Sequence, residues 1–194
     1  MTTPKSRQAG FTLIELMVTV AIAAVMMMVA VPSLNTYRRN AELTSITNTL
    51  VASINTARGE ALKRGLSAMV VPVNNGSVWE AGWTVFVDTD SSRDYDATKD
   101  TLVFTQSAPE SYIAIAANNA ANTAASQIRF DASGFPQGPL GTAGNLTFVV
   151  RRTDGSASAD WSERRVIVIS RTGRTRVCKP VSAADAACND QLTE

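Results

Sequence analysis

The chain lacks histidine altogether, and its 194 residues include only two cysteines. Without histidine it cannot form a Ser-His-Asp or Cys-His catalytic arrangement or an imidazole-based zinc site. Two thiols are too few for a four-cysteine metal site. No GxxxxGK[ST] or GxGxxG run is present, which argues against a nucleotide-binding loop. These absences predict a protein that is not an enzyme and that holds no cofactor or metal.

The chain also has little net charge, +1 at pH 7, but the charge is unevenly distributed. Seven acidic residues against two basic ones give −5 between Trp79 and Glu110, whereas six basic residues against one acidic residue give +5 between Trp161 and Lys179. Apolar residues make up 45% of the sequence. The roughly 160 residues that follow the apolar N-terminal segment suit one domain with a packed core.

The N-terminal segment Phe11–Val31 is predominantly apolar, and Glu15 is its one charged residue. As a helix it would be about 31 Å long, close to the ~30 Å hydrocarbon core of a bilayer. Lys5 and Arg7 precede it, which predicts a cytoplasmic N-terminus, although two arginines on the far side weaken this argument. A secretory signal peptide is the alternative, but no A-x-A cleavage site bounded by a turn follows. A carboxylate in such a segment costs roughly 2.5–3.5 kcal/mol at the bilayer centre, so Glu15 needs an explanation.

The run Lys5-x-Arg7-x-x-Gly10-Phe11-Thr12-Leu13-Ile14-Glu15 resembles the class III signal of type IV pilins and type II secretion pseudopilins. The resemblance implies that a prepilin peptidase removes residues 1–10, cutting between Gly10 and Phe11, and methylates the new N-terminus. It also implies a single-pass inner-membrane protein with its globular domain in the periplasm. An assembly platform would then build it into a filament with other minor and major pilins.

The same resemblance implies a role for Glu15 in assembly, in which its carboxylate pairs with the N-terminal amine of the neighbouring subunit. An opposite charge nearby would offset much of the cost of burying it. The alternative is a carboxylate that is merely tolerated near the membrane edge.

Apolar periodicity predicts that the helix continues beyond the membrane segment. An amphipathic stripe recurs at helical spacing at Leu43, Ile46, Leu50, Ile54, Ala57 and Ala61. We therefore expect a helix from Phe11 to Arg64, bent at Pro32 and ended by Gly65, with residues 32–65 as its amphipathic part. The alternating pattern in residues 66–194 predicts a β-rich domain, and hence an α+β fold. The candidate strands are Ser67–Val73, Trp83–Val87, Thr101–Thr105, Gln127–Phe130, Leu146–Arg152, Arg164–Ser170 and Arg174–Cys178, and Ala114–Ser126 is predicted to be a surface loop.

Two further motifs resemble the GspH/FimT branch of minor pilins: Arg58-Gly59-Glu60-Ala61-Leu62-Lys63-Arg64 and Trp79-x-x-Gly82-Trp83-x-Val85-Phe86-x-Asp88. The resemblance implies the type IV pilin fold, a long bent N-terminal helix packed on an antiparallel β-sheet domain. We interpret Arg58, Glu60 and Arg64 as structural, since Glu60 and Arg64 have the spacing of a helical ion pair.

Five aspartates between Asp88 and Asp100 raise the question of calcium binding. The run from Asp88 lacks the glycine at the sixth place and the glutamate at the twelfth that an EF-hand loop requires. A solvated acidic loop is therefore the preferred interpretation.

The basic C-terminal region contains a predicted strand-turn-strand in which Gly173 supplies the positive φ. We expect Val177 and Thr175 to face the core and Arg174 and Arg176 to point outward, about 6.6–6.8 Å apart. Gly173-Arg174-Thr175-Arg176 resembles the G-R-x-R motif of FimT-type minor pilins that bind DNA in natural transformation. The resemblance implies a DNA-binding site comprising Arg171, Gly173, Arg174, Arg176 and Lys179. The alternative is a basic strand edge that deters sheet aggregation or pairs with a neighbour.

Cys178 and Cys188 are predicted to form a disulfide, which an oxidising compartment would favour over two free thiols. Taken together, these observations predict a minor type IV pilin that primes assembly and is incorporated into the filament. An H-type minor pseudopilin of type II secretion is the alternative, because it shares both the signal and the domain. A periplasmic enzyme on an uncleaved anchor is poorly supported, since no catalytic constellation is present.

Overall fold

The structure, a computed structural model, describes residues 10–73, 78–119, 127–137, 146–154, 161–182, 185 and 188. It divides into two compact units that meet at residue 41. The α-helix α1, Leu13–Arg64, contributes its first part to one unit and residues 42–64 to the other.

Helix α1 ends where the sequence predicted. Gly65 has φ +66°, a left-handed conformation that glycine adopts without strain, and its N–H donates to the Ala61 carbonyl at 2.9 Å. The predicted start at Phe11 differs by two residues, since α1 begins at Leu13.

The apolar stripe of α1 is buried throughout the second unit, as predicted. All six of its residues are at most 5% exposed, namely Leu43, Ile46, Leu50, Ile54, Ala57 and Ala61. They form one core cluster with side chains from the strands of two sheets. Trp83 anchors this contact through a hydrogen bond from its indole Nε1 to the Ser53 Oγ of the helix, at 2.8 Å.

In the described part of the chain, nine strands form two sheets, and all their pairs are antiparallel. The strands are β1 Ser67–Pro72, β2 Gly82–Asp88, β3 Thr101–Ser107, β4 Ile113–Asn119, β5 Ile128–Phe130, β6 Pro136–Gln137, β7 Leu146–Arg152, β8 Arg164–Ile169 and β9 Thr175–Cys178. The first sheet has the order β3-β2-β1-β5-β6 and the second β4-β7-β8-β9. The predicted α+β class is confirmed.

The prediction of a surface loop from Ala114 to Ser126 is wrong for its first part. Strand β4 pairs with β7 there, and its buried side chains Ile113, Ile115 and Ala117 alternate with more exposed alanines. Alanine on both faces gives little contrast in hydropathy, so the period of two was hidden. Residues 120–126 lie outside the described part of the chain.

Smaller differences concern strand ends. The two-residue strand β6 was not predicted, and it is too short to show any alternation. Strand β9 begins at Thr175, so Arg174 lies in the turn before it and not in the strand.

Candidate functional site

The start of α1 is organised by a reciprocal contact between Thr12 and Glu15. The Thr12 backbone N–H and hydroxyl both donate to Glu15 Oε2 at 3.0 Å, and the Glu15 N–H donates to Thr12 Oγ1 at 3.2 Å. This is a capping box, in which a threonine and a glutamate three residues later satisfy helix N–H groups for each other. The T-x-x-E spacing was present in the sequence, but its capping role was not predicted.

The first unit presents an apolar surface. The large apolar side chains from Phe11 to Val25 are exposed, Phe11 at 89%. By length and composition, helix α1 could cross a membrane, and the described side chains of its most apolar stretch are all exposed. The predicted processing residues Gly10 and Phe11 are both exposed, and the leader that precedes them lies outside the described residues.

A tight turn, residues 170–174, joins β8 to β9 in the basic C-terminal region, and we call it the basic turn. The Gly173 N–H donates to the Ser170 carbonyl at 2.8 Å, and the Ser170 N–H donates to the Arg174 carbonyl at 3.0 Å. Gly173 has φ +78°, as the sequence predicted. The Arg174 N–H also donates to Ser170 Oγ at 3.2 Å, so both ends of the turn are fixed.

Arg58 of α1 holds this turn against a second one. Its Nη1 and Nη2 donate to the carbonyls of Gly173 at 2.9 Å and Thr172 at 3.1 Å, and its Nε donates to Gly134 at 3.0 Å. A Cβ on Gly173 would lie 2.7 Å from the Gly134 oxygen and 3.0 Å from Arg58 Cζ. The structural interpretation of Arg58 is therefore supported, and its connection to the basic turn is new. No local sequence signal indicates it, because the contacts span 76 to 115 residues.

The predicted DNA-binding side chains surround this turn. The side chains of Arg171, Arg174, Arg176 and Lys179 are all exposed, whereas Gly173 is buried at the Arg58 contact. Within the described residues, the side chains of Arg174, Arg176 and Lys179 have no hydrogen-bond or ion-pair partner, whereas Arg171 has an interaction.

Strand register sets the directions of the β9 side chains. Arg176 pairs with Val168 and Val177 with Ile167, so Val177 is on the sheet face that carries the core residue Ile167, as predicted. Val177 is nevertheless 42% exposed, because β9 is the edge strand of its sheet. The predicted disulfide between Cys178 and Cys188 is present and ties down this edge strand.

A separate group of carboxylates lies at the ends of β2 and β3. Asp88, Asp90 and Asp100 each place an oxygen within 4.8 Å of the others. Exposure of Asp90 fits the predicted solvated loop, but Asp88 is only 1% exposed.

Comparison with known protein families decides the class. A family model described as type II transport protein GspH matches residues 47–173. The chain belongs to the GspH family. The model of the prokaryotic N-terminal methylation motif matches residues 5–31, which include the Gly10–Glu15 signal. The chain is thus a minor pilin or pseudopilin, a structural component of a type IV pilus or a type II secretion system.

Solved structures of this class share the fold. The type IV minor pilin FimU of Pseudomonas aeruginosa is 19% identical over 73% of this chain and 95% of its own, with a TM-score of 0.54. The minor pseudopilin EpsH of the Vibrio cholerae type 2 secretion system is 12% identical over 73% of this chain and 98% of its own, with a TM-score of 0.51. No match was found among curated protein sequences. The predicted pilin fold is confirmed.

Proposed function

We propose that this GspH-family chain is a minor pilin of a type IV pilus that primes assembly and enters the filament. Prepilin peptidase would cut after Gly10 and methylate Phe11. The inner membrane would hold the helix, with the globular domain in the periplasm, until the assembly platform passes the subunit to other minor and major pilins. The observation that carries this proposal is the exposed apolar first part of α1, with one carboxylate, Glu15, in its first turn.

The capping box leaves Glu15 available for a second partner. Both hydrogen bonds from Thr12 go to Oε2, and no described residue donates to Oε1. The N-terminal amine of a neighbouring subunit can therefore approach Oε1 while the helix start stays intact. Such a pair offsets the cost of placing a carboxylate in an apolar filament core.

Two substitutions separate pairing from capping. Glu15→Gln keeps the side-chain volume and an oxygen that accepts the capping hydrogen bonds, but it removes the charge. Thr12→Ala removes the two capping hydrogen bonds of the threonine hydroxyl and keeps the charge of Glu15. We expect both variants to insert in the inner membrane, but only Thr12→Ala to be recovered at near wild-type level in sheared filaments. Normal recovery of Glu15→Gln would contradict the assembly role of Glu15.

For the basic turn we propose DNA binding, with backbone phosphates contacted by Arg171, Arg174, Arg176 and Lys179. Three observations support it: the side chains are exposed, Arg174 and Arg176 have no acidic partner among the described residues, and Arg58 fixes the turn that carries them. Guanidinium groups on a rigid turn lose less conformational freedom on binding than groups on a mobile loop. Contacts of this kind are independent of base sequence.

A gel-shift with the full chain in detergent micelles tests this site. Arg174→Gln/Arg176→Gln should weaken duplex binding and make the plot of log Kobs against log salt less steep by about 1.8, which corresponds to two lost phosphate contacts. The control Arg93→Gln/Arg151→Gln removes the same charge from exposed positions elsewhere. Equal weakening by both double variants, or unchanged binding by the first, would refute the site.

The alternative function is that of an H-type minor pseudopilin in type II secretion. The description of the matching family model favours it specifically. A deletion strain distinguishes the two machines, because loss of pili with normal secretion supports the first proposal. Loss of protein secretion with normal pili would support the alternative.

A further inference from the structure

The loop between β2 and β3 brings together three carboxylates that lie within 13 residues of the sequence. Asp88 is the last residue of β2, and Asp100 directly precedes β3. Together with Asp90 they form a carboxylate trio, in which each residue places one oxygen within 4.8 Å of the others. Unit charges this close repel each other strongly unless a cation lies between them.

Backbone N–H groups hold two of these carboxylates in place. Asp100 accepts from Thr89 through Oδ1 and from Asp96 through Oδ2, both at 2.9 Å. Asp90 accepts from Ser92 at 3.0 Å through Oδ1. Each carboxylate has about four lone-pair sites, so both keep capacity for another partner.

Asp88 is the unusual member of the group. It is 1% exposed, and among the described residues neither of its carboxylate oxygens has a hydrogen-bond partner of normal geometry. Burial raises the pKa of Asp88, and the charge of Asp100 raises it further, while the nearby Arg93 N–H acts in the opposite direction. A buried carboxylate is normally hydrogen-bonded, paired with a cation or bound to a metal.

The basic side chains described near Asp88 do not form an ion pair with its carboxylate. Lys99 Nζ is 3.3 Å from Asp90 Oδ2 and 3.6 Å from Asp96 Oδ2, so it neutralises the exposed side of the loop. Arg129 lowers the pKa of Asp88 through its charge, but its Nη2 donates to Ser67 Oγ at 3.1 Å. Three carboxylates therefore face two basic groups, neither of which forms an ion pair with Asp88 in the described structure.

We propose that Asp88, Asp90 and Asp100 bind a calcium ion in the globular domain. The three ligands are all carboxylate oxygens, which select hard cations and not zinc or copper. Calcium accepts six to eight oxygens in flexible geometry, whereas magnesium requires a near-ideal octahedron and is usually held by one or two carboxylates. The ion would bind the carboxylate of Asp88, which is otherwise unpartnered among the described residues, and hold the β2–β3 loop against the sheet. This site is independent of the proposed filament and DNA roles.

Thermal unfolding and calorimetric titration of the full chain in detergent micelles test the site. Calcium at about 5 mM exceeds the ~10⁻⁴–10⁻³ M dissociation constants of extracellular calcium modules, so it should raise Tm relative to EDTA. Asp88→Asn should abolish both the rise and the calorimetric binding signal. Asp94→Asn is the matched control, since Asp94 is an exposed aspartate of the same loop outside the trio, and it should keep the full response.

A second variant covers the case in which Asp88→Asn fails to fold. Asp100 is less buried than Asp88, and Asp100→Asn should also abolish the response. Absence of calcium binding to the wild-type chain, an unchanged response in both trio variants, or an equal response to magnesium would overturn the proposal.

Discussion

At the scale of the residue, Arg58 connects the helix to the basic turn. One guanidinium donates to three backbone carbonyls on two different turns. The planar fork of arginine suits this geometry, whereas a lysine ammonium cannot reach three carbonyls in the same way. Without Arg58 these three carbonyls would lose their hydrogen-bond donor at a half-buried contact and could be satisfied only by water.

Arg58→Gln should therefore destabilise the domain. Hydrogen bonds from a charged group contribute about 1.5–3 kcal/mol each, so we expect the free energy of unfolding to fall by about that amount or more. Arg64→Gln is the control, because it removes only a solvent-screened ion pair with Glu60, which should contribute far less to stability. Denaturant unfolding followed by tryptophan fluorescence measures both, since Trp79 and Trp83 are buried. Equal losses in the two variants would contradict the structural role of Arg58.

At the scale of the element, prediction from sequence succeeded where polarity alternates clearly. The buried stripe of α1 stood out because its apolar residues lie among polar ones, and Gly65 marked its end. Strand β4 was not predicted for the opposite reason, since alanines occupy both of its faces and hide the alternation. The position of a strand in its sheet also affects burial. Val177 points in the predicted direction, but no further strand pairs with β9 among the described residues, so the Val177 side chain remains exposed.

The candidate sites were predictable to different degrees. The signal around Glu15 and the turn at Gly173 are contiguous in sequence, so local patterns identified them. The contacts of Arg58 join residues that only folding brings together, whereas the sequence showed the group of five aspartates but not which three of them converge. The EF-hand pattern tests fixed positions in a 12-residue loop, and Asp100 falls one residue beyond the twelfth position counted from Asp88.

At the scale of the whole molecule, different parts of the chain have different tasks. The methylation motif and the exposed apolar helix are those of a membrane-anchored pilin that becomes part of a filament. The basic turn lies in the +5 segment of the folded domain and the carboxylate trio in its −5 segment, although the chain as a whole is nearly neutral. Family membership identifies the chain as a minor pilin or pseudopilin. Functions particular to this subunit would have to come from the surface of its folded domain.

We propose that the chain is cut after Gly10, keeps its apolar helix and enters a filament. Mass spectrometry of the subunit in sheared filaments tests it most directly. We predict an N-terminal peptide that begins at methylated Phe11 and continues through Glu15 and the helix. A subunit that begins at Met1, one cut beyond Val31, or no subunit in the filament fraction would contradict the claim.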